Sequence, residues 1–464
     1  MRADIILSTI NAKWIHPSLA LRLLKANLGA GLEERCRIIE FALRQPLREK
    51  IDALLSARPR ILGLSVSIWN HGATIELLTA LRKEWGPSRP FVALGGPEIT
   101  GLPAGAPIFD LADACIRGEG ESAFRELCNA LLQDGASASA VGKIFDERAG
   151  VHGREDIATI KNAYAFYDDE DLRKKFVYVE SSRGCHNSCA FCQSAGDKLR
   201  EFPLDAFLQE MRTLIARGAR AFKFLDRSFN YNSERAITIM EFFLEEHRRE
   251  WNGPRACVHF EMHPLLFTPG MIRTIARFPP GTLRLEVGIQ TLNKKVAALI
   301  CRASNPAREI EVLRVLRWET SAIIHADLIA GLPGEGIESF AKGFDMLWEA
   351  LAPQAGEGRA EIQLGILKAL PGTPLWRRIE ALGVRHCAEP PYEVIETSAL
   401  SREELDSIKN FARFWGLAVE RGLFDPGAAP VFMRFLDLSR ALFERFGRNW
   451  GIPKAELARA LDDL

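Results

Sequence analysis

The sequence predicts an α/β fold in three parts: a doubly wound (Rossmann-like) N-terminal domain over residues 1–145, a partial (β/α)6 barrel over 173–374 reached by a linker at 146–172, and a helical C-terminal region over 375–464. Three observations carry this. Short apolar runs alternate with amphipathic stretches through the first 140 or so residues; a polar segment rich in Asp, Glu and Arg then interrupts the alternation; six further strand-like runs follow, with helical patterns between them. In the first region ADIILST (3–9), RIIEFAL (37–43), RILGLSVSI (60–68), FVALGGP (91–97) and LADACIRG (111–118) read as strands, with a helix from Pro17 to about Leu28 after the first. Buried strands separated by amphipathic helices require a parallel sheet covered on both faces, and such sheets take ligands beyond the carboxyl ends of their strands. In the second region the strands are FVYVESS (176–182), AFKFLDRSF (221–229), RACVHFEM (255–262), TLRLEVGIQ (282–290), SAIIHADLIAGLP (321–333) and AEIQLGILKALPG (360–372). Six units leave a barrel open at one side, with function concentrated at its carboxyl-terminal rim. The tail reads as helical, and its aromatic stripe reads as core that packs over that open side.

Composition narrows the classes. The 464 residues are 47% apolar, and 60 Lys and Arg balance 60 Asp and Glu, so no general charge draws the chain to nucleic acid, which is not an expected partner. The N-terminus has no long apolar core or small-residue cleavage site of a signal peptide. No apolar run approaches the roughly 20 residues of a membrane helix, so a soluble protein without a membrane span is expected. Nine cysteines, an odd number, argue against a secreted disulfide framework and for reduced thiols in the cytoplasm.

Three of those cysteines lie in RGCHNSCAFCQS (183–194), directly after the first barrel strand and therefore on the rim. Three thiolates from one loop can hold three corners of a cubane [4Fe–4S] cluster, whereas a closed zinc site wants four ligands. Cys36, Cys115, Cys128, Cys257, Cys301 and Cys387 are scattered singly. One iron is thus left open to an external ligand. The spacing Cys185-x3-Cys189-x2-Cys192, with the aromatic Phe191 before the last cysteine, resembles the defining sequence of the radical S-adenosylmethionine (SAM) superfamily.

The resemblance implies that Cys185, Cys189 and Cys192 ligate a [4Fe–4S] cluster beside Phe191, and that the open iron chelates the amino and carboxylate groups of SAM, whose sulfonium C–S bond an electron from the cluster cleaves. His186, between the cysteines, is expected to be a solvent-facing spacer. Glu286, Gly288 and Gln290 alternate along the fourth barrel strand and so share its interior face; the resemblance assigns Glu286 and Gln290 to the adenosine part of SAM, the alternative being a polar network that only fixes the barrel. Asp226 and Arg227, ending the second strand, suit the amine and carboxylate of the cosubstrate, or else form a surface salt bridge. Gly331-Leu-Pro-Gly-Glu335, after Asp327, resembles the superfamily's "GLPGE" turn, and Lys368 faces substrate or caps a strand.

The first domain carries a second set. Ser65, Ser67, Trp69 and Asn70 follow its third strand, Gly95-Gly96-Pro97-Glu98 its fourth, and Gly118-Glu119-Gly120 its fifth. Glycine lets backbone approach a large ligand; each group alone is also an ordinary turn, and Trp69 could be packing. Together they resemble the cobalamin-binding domain that precedes many radical SAM enzymes. The Asp-x-His-x-x-Gly signature that supplies a histidine to cobalt is absent, since neither His16 nor His71 has that context. The lower face of a corinoid would then meet Ser67, Trp69 or Asn70.

What the resemblance implies is a cobalamin-dependent methyltransferase acting at an unactivated centre of a small-molecule or natural-product substrate. One SAM would methylate cobalamin; a second would yield a 5′-deoxyadenosyl radical that takes a substrate hydrogen before methyl transfer. An external electron donor of the flavodoxin or ferredoxin type is expected. Open alternatives are rearrangement, ring contraction or transfer of another SAM-derived group on the same apparatus, and a non-catalytic corinoid-binding sensor. A methylthiotransferase would carry an auxiliary cysteine triad before the barrel, and none is present in the sequence.

Overall fold

The computed structural model describes residues 3–147, 155–249, 256–351 and 359–464. Residues 148–154 of the expected linker and Arg255 of an expected strand lie outside the described residues. The chain divides into two compact units, Met1–Ser181 with Arg200–Lys223, and Ser182–Leu199 with Phe224–Leu464.

In the first unit five parallel strands, β1 (Ile5–Asn11), β2 (Cys36–Ala42), β3 (Ile61–Ser65), β4 (Phe91–Gly95) and β5 (Ala114–Cys115), stand in the order β2-β1-β3-β4-β5. Helices α1 (Leu19–Ala26), α2 (Leu47–Ala57), α3 (His71–Trp85), α4 (Pro97–Gly101) and α5 (Glu121–Leu132) alternate with them along the chain. Ile5, Leu7, Ile61 and Ala93 share a core with Leu21 of α1 and Phe124 and Leu127 of α5. The alternate residues Ile6, Leu62, Val92 and Leu94 are equally buried, as a sheet covered on both faces requires. With β2 on one side of β1 and β3 on the other, the winding reverses between β1 and β3, which places the crevice at their carboxyl ends. The expected fifth strand shrinks to two residues, because Pro107–Leu111 winds into a 3-10 turn first.

Between the repeats come α6 (Ala138–Glu147) and α7 (Asp169–Lys174). The described part of the expected linker is packed: Tyr164, Tyr167 and Leu172 are buried, and Asp171 pairs at 2.5 Å with Arg22, which also holds Glu40 at 2.8 Å. Aromatic side chains interspersed among the charges anchor this segment.

The second sheet begins with β6 (Val177–Val179). The short strands β7 (Ser182–Arg183) and β8 (Arg200–Glu201) bracket the cysteine loop in the chain, and β9 (Ala221–Phe224), β10 (Cys257–Met262), β11 (Leu283–Gln290), β12 (Ile323–Ala330) and β13 (Ala360–Ile366) follow. The sheet order is β6-β9-β10-β11-β12-β13, with β10 to β13 parallel. Helices α8 (Leu204–Ala216), α9 (Ser233–Arg248), α10 (Pro269–Ile275), α11 (Lys294–Leu299), α12 (Pro306–Glu319) and α13 (Ile337–Leu351) lie between the strands in sequence. Period-two alternation divides the strands' two faces. Val258, Phe260, Leu285, Val287, Ile324, Ala326 and Ile362 are buried on one; His259, Glu261, Glu286, His325, Asp327, Glu361 and Gln363 line the other, with Glu286 opposite Glu261 and His325, and His325 opposite Glu361.

The tail departs from an all-helical reading. An antiparallel pair, β14 (Arg385–His386) with β15 (Val394–Glu396), precedes α14 (Arg402–Ala418), α15 (Phe432–Phe446) and α16 (Lys454–Asp463). Ser401 and Glu404 form a capping box that starts α14. Helix α14 packs against β13, the edge strand. The tail's aromatics are core: Phe411 stacks on Phe432 at 4.5 Å and on Trp415 at 5.3 Å, and Phe344 of α13 meets Phe411 at 5.1 Å. Among the described residues no helix is long and apolar enough to cross a membrane.

Candidate active site

The cysteine loop is fixed by its own backbone. Gly184 takes φ +90, and a Cβ there would stand 2.4 Å from the Lys198 carbonyl oxygen, so the loop's two limbs close only around glycine. The Cys185 N–H donates to the Asp197 carbonyl at 3.1 Å, and the Cys192 N–H to the Cys189 carbonyl at 3.0 Å. Ala190 is clamped from both sides: its N–H donates to Ile300, and its carbonyl accepts from Leu375.

Each sulfur has a donor of its own. Ser228 Oγ lies 3.8 Å from Cys185 Sγ, with Asn187 bridging the two; the Ser194 N–H points at Cys192 Sγ at 3.4 Å; and Arg302 Nη1 reaches Cys189 Sγ at 3.5 Å. Burial raises the Cys192 thiol pKa, and the Ser194 N–H and the Arg227 charge oppose this. Cys185 and Cys189 are buried and Cys192 is half-buried. Among the described residues no three His, Cys, Asp or Glu side chains converge as ligands of one ion. Three donor-supported sulfurs spread around a loop suit a multi-iron cluster. Phe191 is half-buried beside them in sequence, and His186 is solvent-facing, its ring against Tyr231 at 4.6 Å.

Around the rim, Asp226 is buried and accepts from Ser182 Oγ at 2.7 Å, while Arg227 is exposed. Gly288 and Gln290 sit together at the end of β11: a Cβ on Gly288 would meet Gln290 Nε2 at 2.6 Å and Arg302 Nη2 at 3.7 Å. Glu286 lies further down the strand and pairs with His259 at 3.1 Å. A register shift and a positive φ of 69° at Gln290 turn this strand end. Glu335 of the Gly331–Glu335 turn accepts from Thr291 Oγ1 at 2.8 Å and Ser339 Oγ at 3.1 Å, tying the turn to the residue after Gln290; burial pushes its carboxyl pKa up. Lys368 is exposed and bridges by backbone to Glu393.

The strand ends of the first unit sort into free and engaged positions. Asn70 is fully buried, its Oδ1 accepting from the Ser67 N–H at 2.8 Å and its Nδ2 donating to the Ile10 carbonyl at 3.0 Å and to Thr9 Oγ1 at 3.2 Å, so it staples β3 to β1. Glu98 is buried against His71 Nδ1 at 2.6 Å. Glu119 takes the Arg200 guanidinium and the Glu155 N–H. Ser67 is buried and Ser65 half-buried. Trp69 is 52% exposed, and its indole N–H reaches the Ile10 carbonyl at 3.3 Å across the β1/β3 crevice; Trp14, in the loop after β1, is 50% exposed. Gly96, at φ +103, leaves no room for a Cβ, which would meet the Val66 oxygen at 2.6 Å; Pro97 and Gly118 are exposed, Gly95 and Gly120 half-buried, and the Gly118 N–H donates to Thr100 Oγ1 at 3.0 Å.

Residues 179–347 match the Radical SAM superfamily. The barrel is a radical SAM domain. Among curated relatives, the ribosomal protein uS12 methylthiotransferase RimO of Nitratiruptor sp. is 28% identical over 35% of this chain and 38% of its own length. The uncharacterized methyltransferase PH0819 of Pyrococcus horikoshii is 26% identical over 62% of each chain. The chain thus spans between about two fifths and three fifths of these relatives' length. Among solved structures, the cobalamin-dependent SAM radical enzyme OxsB aligns with TM-score 0.65 at 14% identity over 95% of this chain and 71% of its own. The radical SAM methyltransferase TsrM of Kitasatospora setae, with cobalamin and a [4Fe-4S] cluster bound, aligns with TM-score 0.61 at 16% identity over 84% and 78%. At those identities the likeness shows the fold alone, a doubly wound domain followed by a partial α/β barrel.

Two residues of the radical SAM barrel escaped the sequence reading. Arg302 donates to the Gly288 carbonyl as well as to Cys189 Sγ, and so joins the cysteine loop to the end of β11. His263, just beyond β10, is 5% exposed, and burial with the nearby Arg302 charge pushes its pKa down to about 4, so the ring is neutral. Its Nδ1 accepts from the Leu265 N–H at 3.3 Å, which leaves the proton on Nε2. Arg302 lies in LICRASNP after α11, where spacing alone gives an arginine no role.

Proposed function

We propose that this chain is a cobalamin-dependent radical SAM enzyme that methylates an unactivated centre of a small-molecule substrate. The observation that carries the reading is the cysteine loop: three sulfurs, each met by its own donor, with the remaining cysteines elsewhere among the described residues. When bound, a reduced [4Fe–4S] cluster supplies the electron that opens a sulfonium C–S bond, and a corinoid supplies a transferable methyl group.

The chain's own residues bind and orient. Cys185, Cys189 and Cys192 hold three irons; Ser228, Asn187, Ser194 and Arg302 stabilise the thiolates by hydrogen bonding. Arg302, which reaches Cys189 Sγ, would suit the methionine carboxylate, and Gly288, Gln290 and the neutral His263 border the same rim. In the first unit Ser65, Ser67, Trp69, Gly95, Gly96, Pro97, Gly118 and Gly120 offer the corinoid a backbone-lined ledge at the β1/β3 crevice. Asn70, Glu98 and Glu119 shape that ledge through the bonds they already make, rather than touching the ligand. The OxsB and TsrM likenesses support this division of labour.

The sequence relatives include methylthiotransferases. Cys36 and Cys128 are buried within the first unit's core, which favours methyl over methylthio transfer. Anaerobic reconstitution followed by iron, sulfide and corinoid analysis tests the cofactor assignment, with about four irons and one corinoid per chain expected. Incubation with SAM, reductant and candidate substrates should then give S-adenosylhomocysteine together with 5′-deoxyadenosine. Zinc at the three cysteines overturns the reading, and 5′-deoxyadenosine alone overturns methylation.

A further inference from the structure

Below the rim, the interior face of β10 to β13 carries a further set of polar groups. On β12 the His325 imidazole is 7% exposed. Its Nδ1 lies 3.1 Å from Glu361 Oε2 and 2.6 Å from the side-chain amide of Gln363, both on β13. A charge-assisted Nδ1–H to Glu361 is the stronger arrangement, and the amide then turns its oxygen to the same N–H, an orientation that atom positions alone do not fix. This leaves His325 Nε2 a lone-pair acceptor, and that buried atom has no hydrogen-bond partner. His259 on β10 stacks toward His325 with centroids 6.3 Å apart and pairs with Glu286 of β11 at 3.1 Å. Glu420, just past α14, which packs on β13, feels the charges of Glu361 and His325.

We infer that this face is the substrate subsite of the proposed enzyme, and that the acceptors His325 Nε2 and Glu361 receive a protonated amine. The geometry selects a cation that donates. Glu361, Gln363 and Glu286 are partly open on the barrel face, while the unpartnered imidazole nitrogen lies deeper beside them. Arg284 on the same face and Arg421 beside Glu420 offset part of the negative charge. An ammonium brings hydrogen-bond donors and positive charge to this set together, whereas a carboxylate or phosphate would meet acceptors of its own sign. The state of Glu420 agrees: burial, reinforced by Glu361, pushes its carboxyl up to about 7, so it is part-protonated at neutral pH. An arriving ammonium draws that proton off, and binding therefore releases protons.

The inference rests on the enzyme reading for the word substrate, but its test does not use turnover. Ethylammonium chloride is titrated calorimetrically into the full chain without cofactors at pH 7, in two buffers of different ionisation enthalpy, with ethanol and sodium chloride as controls. Saturable binding with net proton release is expected. Glu361→Gln and His325→Phe should each weaken it at least about tenfold, the loss of one charge-assisted hydrogen bond. Glu420→Gln should bind without releasing protons, and Cys189→Ala should bind as wild type even if it never holds a cluster. Ethylammonium behaving as sodium chloride does, or binding to folded Glu361→Gln with wild-type affinity, overturns the inference. A circular-dichroism melt of each variant identifies those that fold; should His325→Phe fail, Glu361→Gln and Glu420→Gln decide.

Discussion

Replacing Gly184 with alanine tests whether the cysteine loop is a preformed holder for three metal corners. At φ +90 a side-chain-bearing residue is strained by about 1–2 kcal/mol. The new Cβ also meets the Lys198 carbonyl oxygen at 2.4 Å, so that carbonyl must retreat until the contact opens to at least 3.0 Å. Its neighbour is the Asp197 carbonyl, which accepts the Cys185 N–H at 3.1 Å, and losing that bond adds about 0.5–1.5 kcal/mol. Together roughly 1.5–3.5 kcal/mol falls on one loop, a factor of about 10 to 300 in the population of its closed form. The loop can open without unfolding its unit, so the loss should appear in iron and sulfide per chain after anaerobic reconstitution at limiting iron, with the thermal midpoint nearly unchanged. Gly196→Ala is the matched control: it too has a positive φ, of 73°, but nothing lies within 4 Å of its Cβ, so it bears the backbone strain alone and should lose markedly less iron than Gly184→Ala. Wild-type loading by Gly184→Ala, or an equal loss in Gly196→Ala, would refute the preformed loop.

Three further outcomes follow from the geometry. Asn70→Ala removes a fully buried amide that satisfies the Ser67 N–H and the Ile10 carbonyl; it should destabilise the first unit by about 2–4 kcal/mol in denaturant melts and leave iron loading at the cysteines intact. Arg302→Met withdraws a positive donor from Cys189 Sγ, so a reconstituted cluster should titrate at a more negative potential in spectroelectrochemistry, and an unchanged or raised potential would contradict the contact. Glu420 holds its proton to about pH 7 when folded, against a reference near 4.5, so the native state carries the extra proton between those values. Its contribution is fully present below that window and is lost as pH rises through it, solvent screening of the open carboxyl keeping the loss small; Glu420→Gln should flatten that limb of the stability profile measured by urea unfolding, and a limb of unchanged slope would refute the assignment.

The layered architecture was legible because period-two and helical patterns report burial directly. FVALGGP and TLRLEVGIQ yielded β4 and β11 with ends displaced by one or two residues. The fifth strand was overextended because LADACIRG is apolar enough for a strand while the preceding Pro107–Leu111 turn leaves two residues free to pair. The tail's β14–β15 pair was hidden because two- and three-residue strands carry no period at all.

Site chemistry was legible only where ligands are adjacent in sequence. Cys185, Cys189 and Cys192 announce themselves because one loop must present all three. Arg302 is 113 residues from Cys189, and Glu420 is 59 from Glu361, so parallel strands and an edge-packing helix, rather than spacing, bring these groups together. The same physics explains the bonds that Asn70, Glu98 and Glu119 make within the protein. Polar residues at strand ends look like ligand contacts in a sequence, but a buried polar group there must first find partners within the protein. Asn70 finds Ile10 and Ser67, Glu98 finds His71, and Glu119 finds Arg200, whereas Trp69, with a single N–H to satisfy, can meet that need at Ile10 and still leave its aromatic face open over the crevice.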